Sequence, residues 1–332
     1  MSEHMKAAVV RRYGPPHVVQ IEQVPQPVPG PHEVLIRVRA ATVSSADWRL
    51  RSLSMPYGFG LAGRLAFGVT APRQLILGSE LSGDVVAVGA SVHNFALGDA
   101  VVAFPGAKLG AHAEYCCMNA NAAMVRKPEA LSYTSAAALA FGGTTALDFF
   151  RRGALQAGES ALINGASGTV GSAMVQLAVA AGARVTAVCS GPNVELMHQL
   201  GATRVVDYTK ADFASEGIRY DVIADTVGNA PYSRVHHALT PRGRLLLVLA
   251  TLPEMLRAPW VNHTSQRRLV AGPAAERVED LRTLVAMAAD GRFTPLIDSS
   301  FSLDEIASAH ARVETNRKRG SVVVHSRGMS GP

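Results

Sequence analysis

Cysteine is scarce in this chain: 332 residues include three, Cys116, Cys117 and Cys189, and two of them are sequence neighbours. That scarcity excludes a disulfide framework and the four-thiolate lobe of a structural zinc site. Charge is thin as well, with 17% Asp, Glu, Lys and Arg against 48% hydrophobic residues, a balance that excludes a disordered or collagen-like chain. The longest apolar stretch, Leu245 to Leu256, is too short to span a bilayer, and the opening MSEHMKAAVV has no apolar run of signal length. These absences lead us to expect a cytoplasmic protein without a membrane partner. The formal net charge of +6 comes from scattered basic residues, the densest group being Arg317, Lys318 and Arg319. Such scatter reads as a solvated surface, so nucleic acid is not expected as a partner.

A chain of this length predicts two packed domains. From Lys6 to about Ala123, short β-rich runs (KAAVV, EVLIRVRAATV, GDVVAVG, DAVVAF, HAEYCCM) alternate with Gly and Pro, which predicts an all-β unit. The stretch from Arg51 to Gln74, rich in Gly and Pro, interrupts that rhythm and reads as a long loop or lid. Beyond Ser132, strands and helices alternate, as a parallel sheet with helices on its faces requires. From Phe293 the pattern is mixed again, ending in the strand SVVVHS. The fold class expected is α/β, with residues 1–126 and 293–332 in one domain and 127–292 in the other.

The segment ALINGASGTVGSAMVQLAVAAGARVTAVCS places Gly165, Gly168 and Gly171 between a strand and a helix, with a second strand following. Phosphate binding needs this order, because small residues permit a tight turn and a close backbone approach while the helix N-terminus aims amides at the pyrophosphate. Ala166, Ser167, Gly168, Thr169 and Val170 are therefore the expected cofactor contacts. NAD-binding folds often close the second strand with an acid; here it closes with Cys189 and Ser190, and no carboxylate stands there to repel a 2′-phosphate. The expected cofactor is NADP(H). Ser190 and Asn193 fit two roles, as donors to that phosphate or as caps of the next helix.

Taken in order, MKAAVVRRYGPP, EVLIRVRAATVSSADWRLR, LGSELSGDVVAVGASVHNFALGDAVVAF, AALAFGGTTAL, GASGTVG and QLGATRVVDYT form a specific set of motifs running from Met5 almost to the C-terminus. With them the chain resembles the medium-chain dehydrogenase/reductase superfamily and, within it, the zinc-independent quinone oxidoreductase branch that includes alkenal and enoyl reductases. The resemblance implies a GroES-like β-barrel catalytic domain built from both chain ends and a Rossmann domain, a doubly wound parallel sheet, between them. It implies that Thr144 packs near the nicotinamide, where a helix N-cap is the alternative role, and that Tyr208 lies beside the adenosine phosphate. Zinc-using relatives place Cys, His and Cys where this chain has Ser44, Ser79 and Ala140, so no metal is expected.

The branch often has Asn and Tyr where this chain has Ser44 and Arg49, which opens the question of the substrate. Ser44, Arg49, Tyr57 and Trp260 are the candidates for its pocket, Trp260 being read as part of a loop; no residue presents itself as the proton donor. Ser44 serves equally well as the cap of a helix. His112, His236, His237, His263 and His310 lack metal-ligand spacing. The expected activity is NADPH-dependent transfer of hydride to an activated C=C bond or a quinone. The alternatives are a pathway-specific enoyl or ketone reductase of secondary metabolism and a non-catalytic NADP(H)-binding sensor or scaffold. A small-molecule substrate and a homodimer joined through an edge strand at RRLVAG complete the expectations.

Overall fold

The structure is a computed structural model and describes residues 3–326. Its first stretch carries strands β1 (His4–Val10), β2 (Val19–Pro25) and β3 (Glu33–Val43), then helices α1 (Ser45–Ser52) and α2 (Gly60–Phe67). Strands β4 (Leu81–Val88), β5 (Ala100–Ala103), β6 (Tyr115–Asn119) and β7 (Met124–Arg126) follow, and then helix α3 (Tyr133–Ala137). Strand β3 is the spine of this part, pairing antiparallel with both β4 and β6. Val34, Ile36, Val38, Ala40 and Ala41 along it are all buried. A strand covered on both faces reads as a near-continuous apolar run, and EVLIRVRAATV is one.

Helix α4 (Ala140–Gly153) leads into a six-stranded sheet whose members are β8 (Ser160–Asn164), β9 (Arg184–Cys189), β10 (Arg204–Asp207), β11 (Tyr220–Asp225), β12 (Leu239–Leu247) and β13 (Arg268–Val270). The connections hold α5 (Thr169–Ala180), α6 (Val194–Gln199), α7 (Tyr232–Val235) and α8 (Leu252–Thr264). All pairings are parallel, in the order β10-β9-β8-β11-β12-β13. This is the doubly wound Rossmann order, which reverses direction between β8 and β11; ligands bind at the carboxyl ends of the strands at such a switch point. Ala161, Leu162 and Ile163 of β8 are wholly buried, as a central parallel strand demands.

The chain closes with α9 (Val278–Ala289), β14 (Ile297–Ser302), α10 (Ile306–Glu314) and β15 (Ser321–His325). Strand β15 returns to pair with β3, so strands from before and after the parallel sheet build one GroES-like sheet, while β1 and β2 pair with each other. Contacts divide the chain into two units. Among the described residues, one holds 3–55, 60–141 and 276–326; the other holds 56–59 and 142–275. The first boundary falls later than the change in sequence rhythm because α3 packs on β3 and β4, and the second falls earlier because α9 packs beside β7. The segment RRLVAG supplies β13, at the edge of the parallel sheet and bonded on one side to β12.

Candidate functional site

In the Rossmann unit, β8 ends at Asn164 and the chain turns through Gly165, whose φ of +80° lies in the left-handed region that glycine occupies without strain. A Cβ on Gly165 would stand 2.5 Å from Oγ1 of Thr226, and one on Gly171 would stand 2.1 Å from the carbonyl oxygen of Gly165. Both positions therefore require glycine. Gly168 stands at the N-cap of α5 and has no side chain with which to cap it. Ala166 is buried and Ser167, Gly168, Thr169 and Val170 are half-buried around this turn. The cradle fits a dinucleotide pyrophosphate: close backbone, a helix that starts behind a glycine and a position at the switch point of the sheet.

A second loop braces the first, and sequence reasoning missed it. Asp225, at the end of β11, is fully buried and accepts from the amides of Val227 and Gly228 at 3.0 Å each and of Ala230 at 2.8 Å. It also accepts from the side-chain amide of Asn164 at 2.9 Å. The hydroxyl of Thr226 donates to the carbonyl of Asn164 at 2.8 Å. These bonds fix the two loops that face each other across the switch point.

Ser190, Asn193 and Tyr208 gather at the carboxyl ends of β9 and β10, since Cys189 and Asp207 are partners in register. Asn193 is buried and donates its side-chain amide to Oγ of Ser190 at 3.1 Å, whereas the Tyr208 ring is exposed. The same rim carries Asp207, a residue sequence reasoning passed over. Its carboxylate accepts from the amide and hydroxyl of Thr209 and from the amide of Gly191, and these bonds hold it below the usual carboxylate range. Lys210 lies 3.8 Å from it. Thr144 is placed inside α4 and buried, not at a helix N-cap, because the helix already begins at Ala140.

In the GroES-like unit, Ser44 caps α1 in a reciprocal box with Asp47. Its hydroxyl donates to Oδ2 of Asp47 at 2.6 Å and accepts from the amides of Ala46 and Asp47 at 3.2 and 3.3 Å. Its own amide donates to the same carboxylate at 2.7 Å. Oδ1 of Asp47 accepts from the amide of Gly78 at 2.8 Å, which brings the segment of Ser79 and Glu80 beside α1. Glu80 is buried and accepts from the hydroxyl of Thr42, from the amide of Phe141 at 2.6 Å and from that of Ala140. Burial outweighs these donors and pushes its carboxyl up to about 7. Ser44, Ser79 and Ala140 are thus tied together by Asp47, three residues after the expected cap, and by Glu80, a carboxylate the sequence did not single out. Oγ of Ser79 is buried and has no hydrogen-bond partner among the described residues.

The remaining candidates take no part in these networks. Arg49 stacks over the Trp48 ring, 4.9 Å from its centroid, and donates to the carbonyl of Ser54 at 3.1 Å; burial lowers its pKa. Tyr57 is exposed and its carbonyl accepts from the amide of Leu252. Trp260 corrects the loop reading: it is exposed on helix α8, which Thr251 caps and whose buried Ala258 and Val261 face the sheet. The thiols are held protonated by burial, Cys116 at about 12 and Cys117 and Cys189 at about 11, so none is a ready nucleophile or metal ligand. His112 and His310 are buried edge to face, with ring centroids 5.7 Å apart.

Residues 30–146 match the family model described as an alcohol dehydrogenase GroES-like domain, and residues 200–324 match that of a zinc-binding dehydrogenase. The chain is 31% identical over 317 residues to a chloroplastic quinone oxidoreductase of Triphysaria versicolor, covering 91% of this chain and 92% of that one. It is 30% identical over 335 residues to the 2-methylene-furan-3-one reductase of Solanum lycopersicum, covering 97% of this chain and 79% of that one. Among solved structures, the quinone oxidoreductase from Coxiella burnetii superposes with a TM-score of 0.87 at 28% identity, covering 98% of this chain and all of that one.

Proposed function

This chain belongs to the quinone oxidoreductase-like branch of the medium-chain dehydrogenase/reductase superfamily, and we propose from that premise that it reduces an activated C=C bond or a quinone with NADPH, without zinc. The observation that carries the reading is the state of Ser44. Its hydroxyl is committed to Asp47 and to two helix amides, so at one of the three places where zinc-using relatives hold the metal this chain has a helix cap instead. Ser79 and Ala140, at the other two, offer a neutral hydroxyl and a methyl group, weak ligands beside thiolate and imidazole.

Reduced nicotinamide, when bound, supplies hydride. An acceptor that disperses charge through conjugation needs no Lewis acid to accept it. What the chain contributes is binding and orientation: the glycine turn and the start of α5 would hold the pyrophosphate, and Asp225 and Thr226 keep the facing loop in place. We assign the proton to solvent. The test is activity and metal content together: purified protein should oxidise NADPH with quinones or enones at a rate that chelators leave unchanged. One stoichiometric zinc whose removal abolishes activity would overturn the metal-free reading.

One observation favours a second reading of the cofactor. Asp207 brings a carboxylate to the rim where a 2′-phosphate would sit, which favours NADH, whereas the close of β9 at Cys189 and Ser190, with Lys210 near Asp207, supports NADPH. A homodimer through the edge strand β13 is part of the proposal and is tested by light scattering.

A further inference from the structure

We propose that the outward face of α2, with the turn that follows it to Leu75, is a docking surface for an anionic lipid bilayer. The helix is built inside out. Gly63 is its one buried residue, lying so close to Met55 that a Cβ there would be 2.7 Å from Cγ of that side chain. Leu61 and Leu65 stand two residues to either side of Gly63, about 160° around the helix from it. They are therefore directed away from the protein and are 74% and 59% exposed. Phe67, four residues from Gly63 and so on its side of the helix, and Val69 in the turn that follows are 42% and 55% exposed.

Charge decides among the surfaces such a face could meet. From Trp48 to Ser79 the chain has four arginines and no Asp or Glu. Two of the four, Arg64 and Arg73, are exposed and folded back onto the apolar face, Arg64 donating to the carbonyl of Val69 at 2.8 Å and Arg73 to that of Ala66 at 3.3 Å. The hydroxyl of Tyr13 donates to the carbonyl of Gly68 at 2.8 Å and holds the turn between them. The segment thus sets exposed apolar side chains beside two exposed arginines and contains no acid of its own. A second copy of the chain fits it poorly, because a two-fold contact would set this patch, whose segment carries only positive charge, against itself. Anionic headgroups above an acyl layer match both the arginines and the apolar side chains. A helix of eight residues cannot span a bilayer but can lie in its surface, so the proposal departs from the sequence expectation of no membrane partner, which rested on the length of the apolar runs.

The experiment is co-sedimentation of the full chain with vesicles of phosphatidylcholine alone or mixed with phosphatidylglycerol, followed across ionic strength, with light scattering in parallel. The proposal expects about tenfold or more protein on the mixed vesicles, lost at high salt. Leu61→Ser with Leu65→Ser should abolish the binding, and Arg64→Glu with Arg73→Glu should reduce it to the level on neutral vesicles. All four positions are exposed, and a thermal melt equal to that of the parent shows that each variant folds. Equal recovery on both vesicle types, or variants that bind like the parent, would overturn the proposal. So would a dimer that the two leucine substitutions dissociate, since the face would then belong to a second copy.

Discussion

The backbone amide of Gly78 donates to Oδ1 of Asp47 at 2.8 Å, and this bond, between residues 31 apart in the chain, ties the segment of Ser79 and Glu80 to the cap of the helix that follows Ser44. One buried carboxylate thereby serves two backbone amides and one hydroxyl. Asp47→Ala would leave those donors buried without an acceptor, so we expect a loss of about 3 kcal/mol or more in chemical denaturation. Asp47→Asn, which keeps an acceptor oxygen, should lose less. A stability unchanged by Asp47→Ala would refute the role given to this carboxylate.

Glu80 should leave a mark on the pH dependence of stability. Burial pushes its carboxyl up to about 7 in the folded chain, against an ordinary value of 4.5. Between those values the folded state holds a proton that the unfolded state has released, so stability falls as pH rises from about 4.5 to about 7 and levels off above. The span corresponds to as much as about 3 kcal/mol. Glu80→Gln should flatten this part of the profile, measured as denaturation free energy against pH; identical profiles for parent and variant would count against the shift.

Gly171 allows the helix start to approach the glycine turn, and a Cβ there would press to 2.1 Å from a backbone oxygen. Gly171→Ala must therefore push α5 away from Gly165. Affinity for the reduced cofactor, read by fluorescence titration, should fall at least tenfold, equivalent to about 1.4 kcal/mol. Undiminished affinity would remove the turn from the binding site.

How far the site could be read from the sequence follows the range of its interactions. The cradle at Gly165 to Gly171 is legible because strand, turn and helix are consecutive, and the cap at Ser44 because its partner lies three residues on. Glu80 is not legible, since Thr42 and Phe141 lie 38 and 61 residues from it and neither type announces a carboxylate's company. Its bonds to the amides of Ala140 and Phe141 also explain why α4 starts before Thr144. Trp260 misleads for another reason. Pro259 signals a break, yet the helix continues through it because Ala258 and Val261 are buried against the parallel sheet. Tertiary packing there outweighs the local signal.

Selectivity between the cofactors should turn on two carboxylates, one absent and one present. Ser190→Asp would place a negative charge at the close of β9 and should weaken NADPH by tenfold or more, about 1.4 kcal/mol, while leaving NADH nearly unchanged. Asp207→Asn should act in the opposite sense and strengthen NADPH relative to NADH. Titration of both cofactors against the three proteins reads the outcome. Equal response of the two cofactors to both substitutions would separate this rim from the 2′-position.

The central claim, hydride transfer to a conjugated acceptor, is tested most directly by a single turnover. Protein loaded with one equivalent of NADPH is mixed with excess quinone, or with an enone, and cofactor and acceptor are followed together. The account predicts that one acceptor is reduced for each cofactor oxidised, with at least one of the two classes. Cofactor that stays bound and reduced before a broad panel of both would contradict it and would leave a nucleotide-binding protein without turnover.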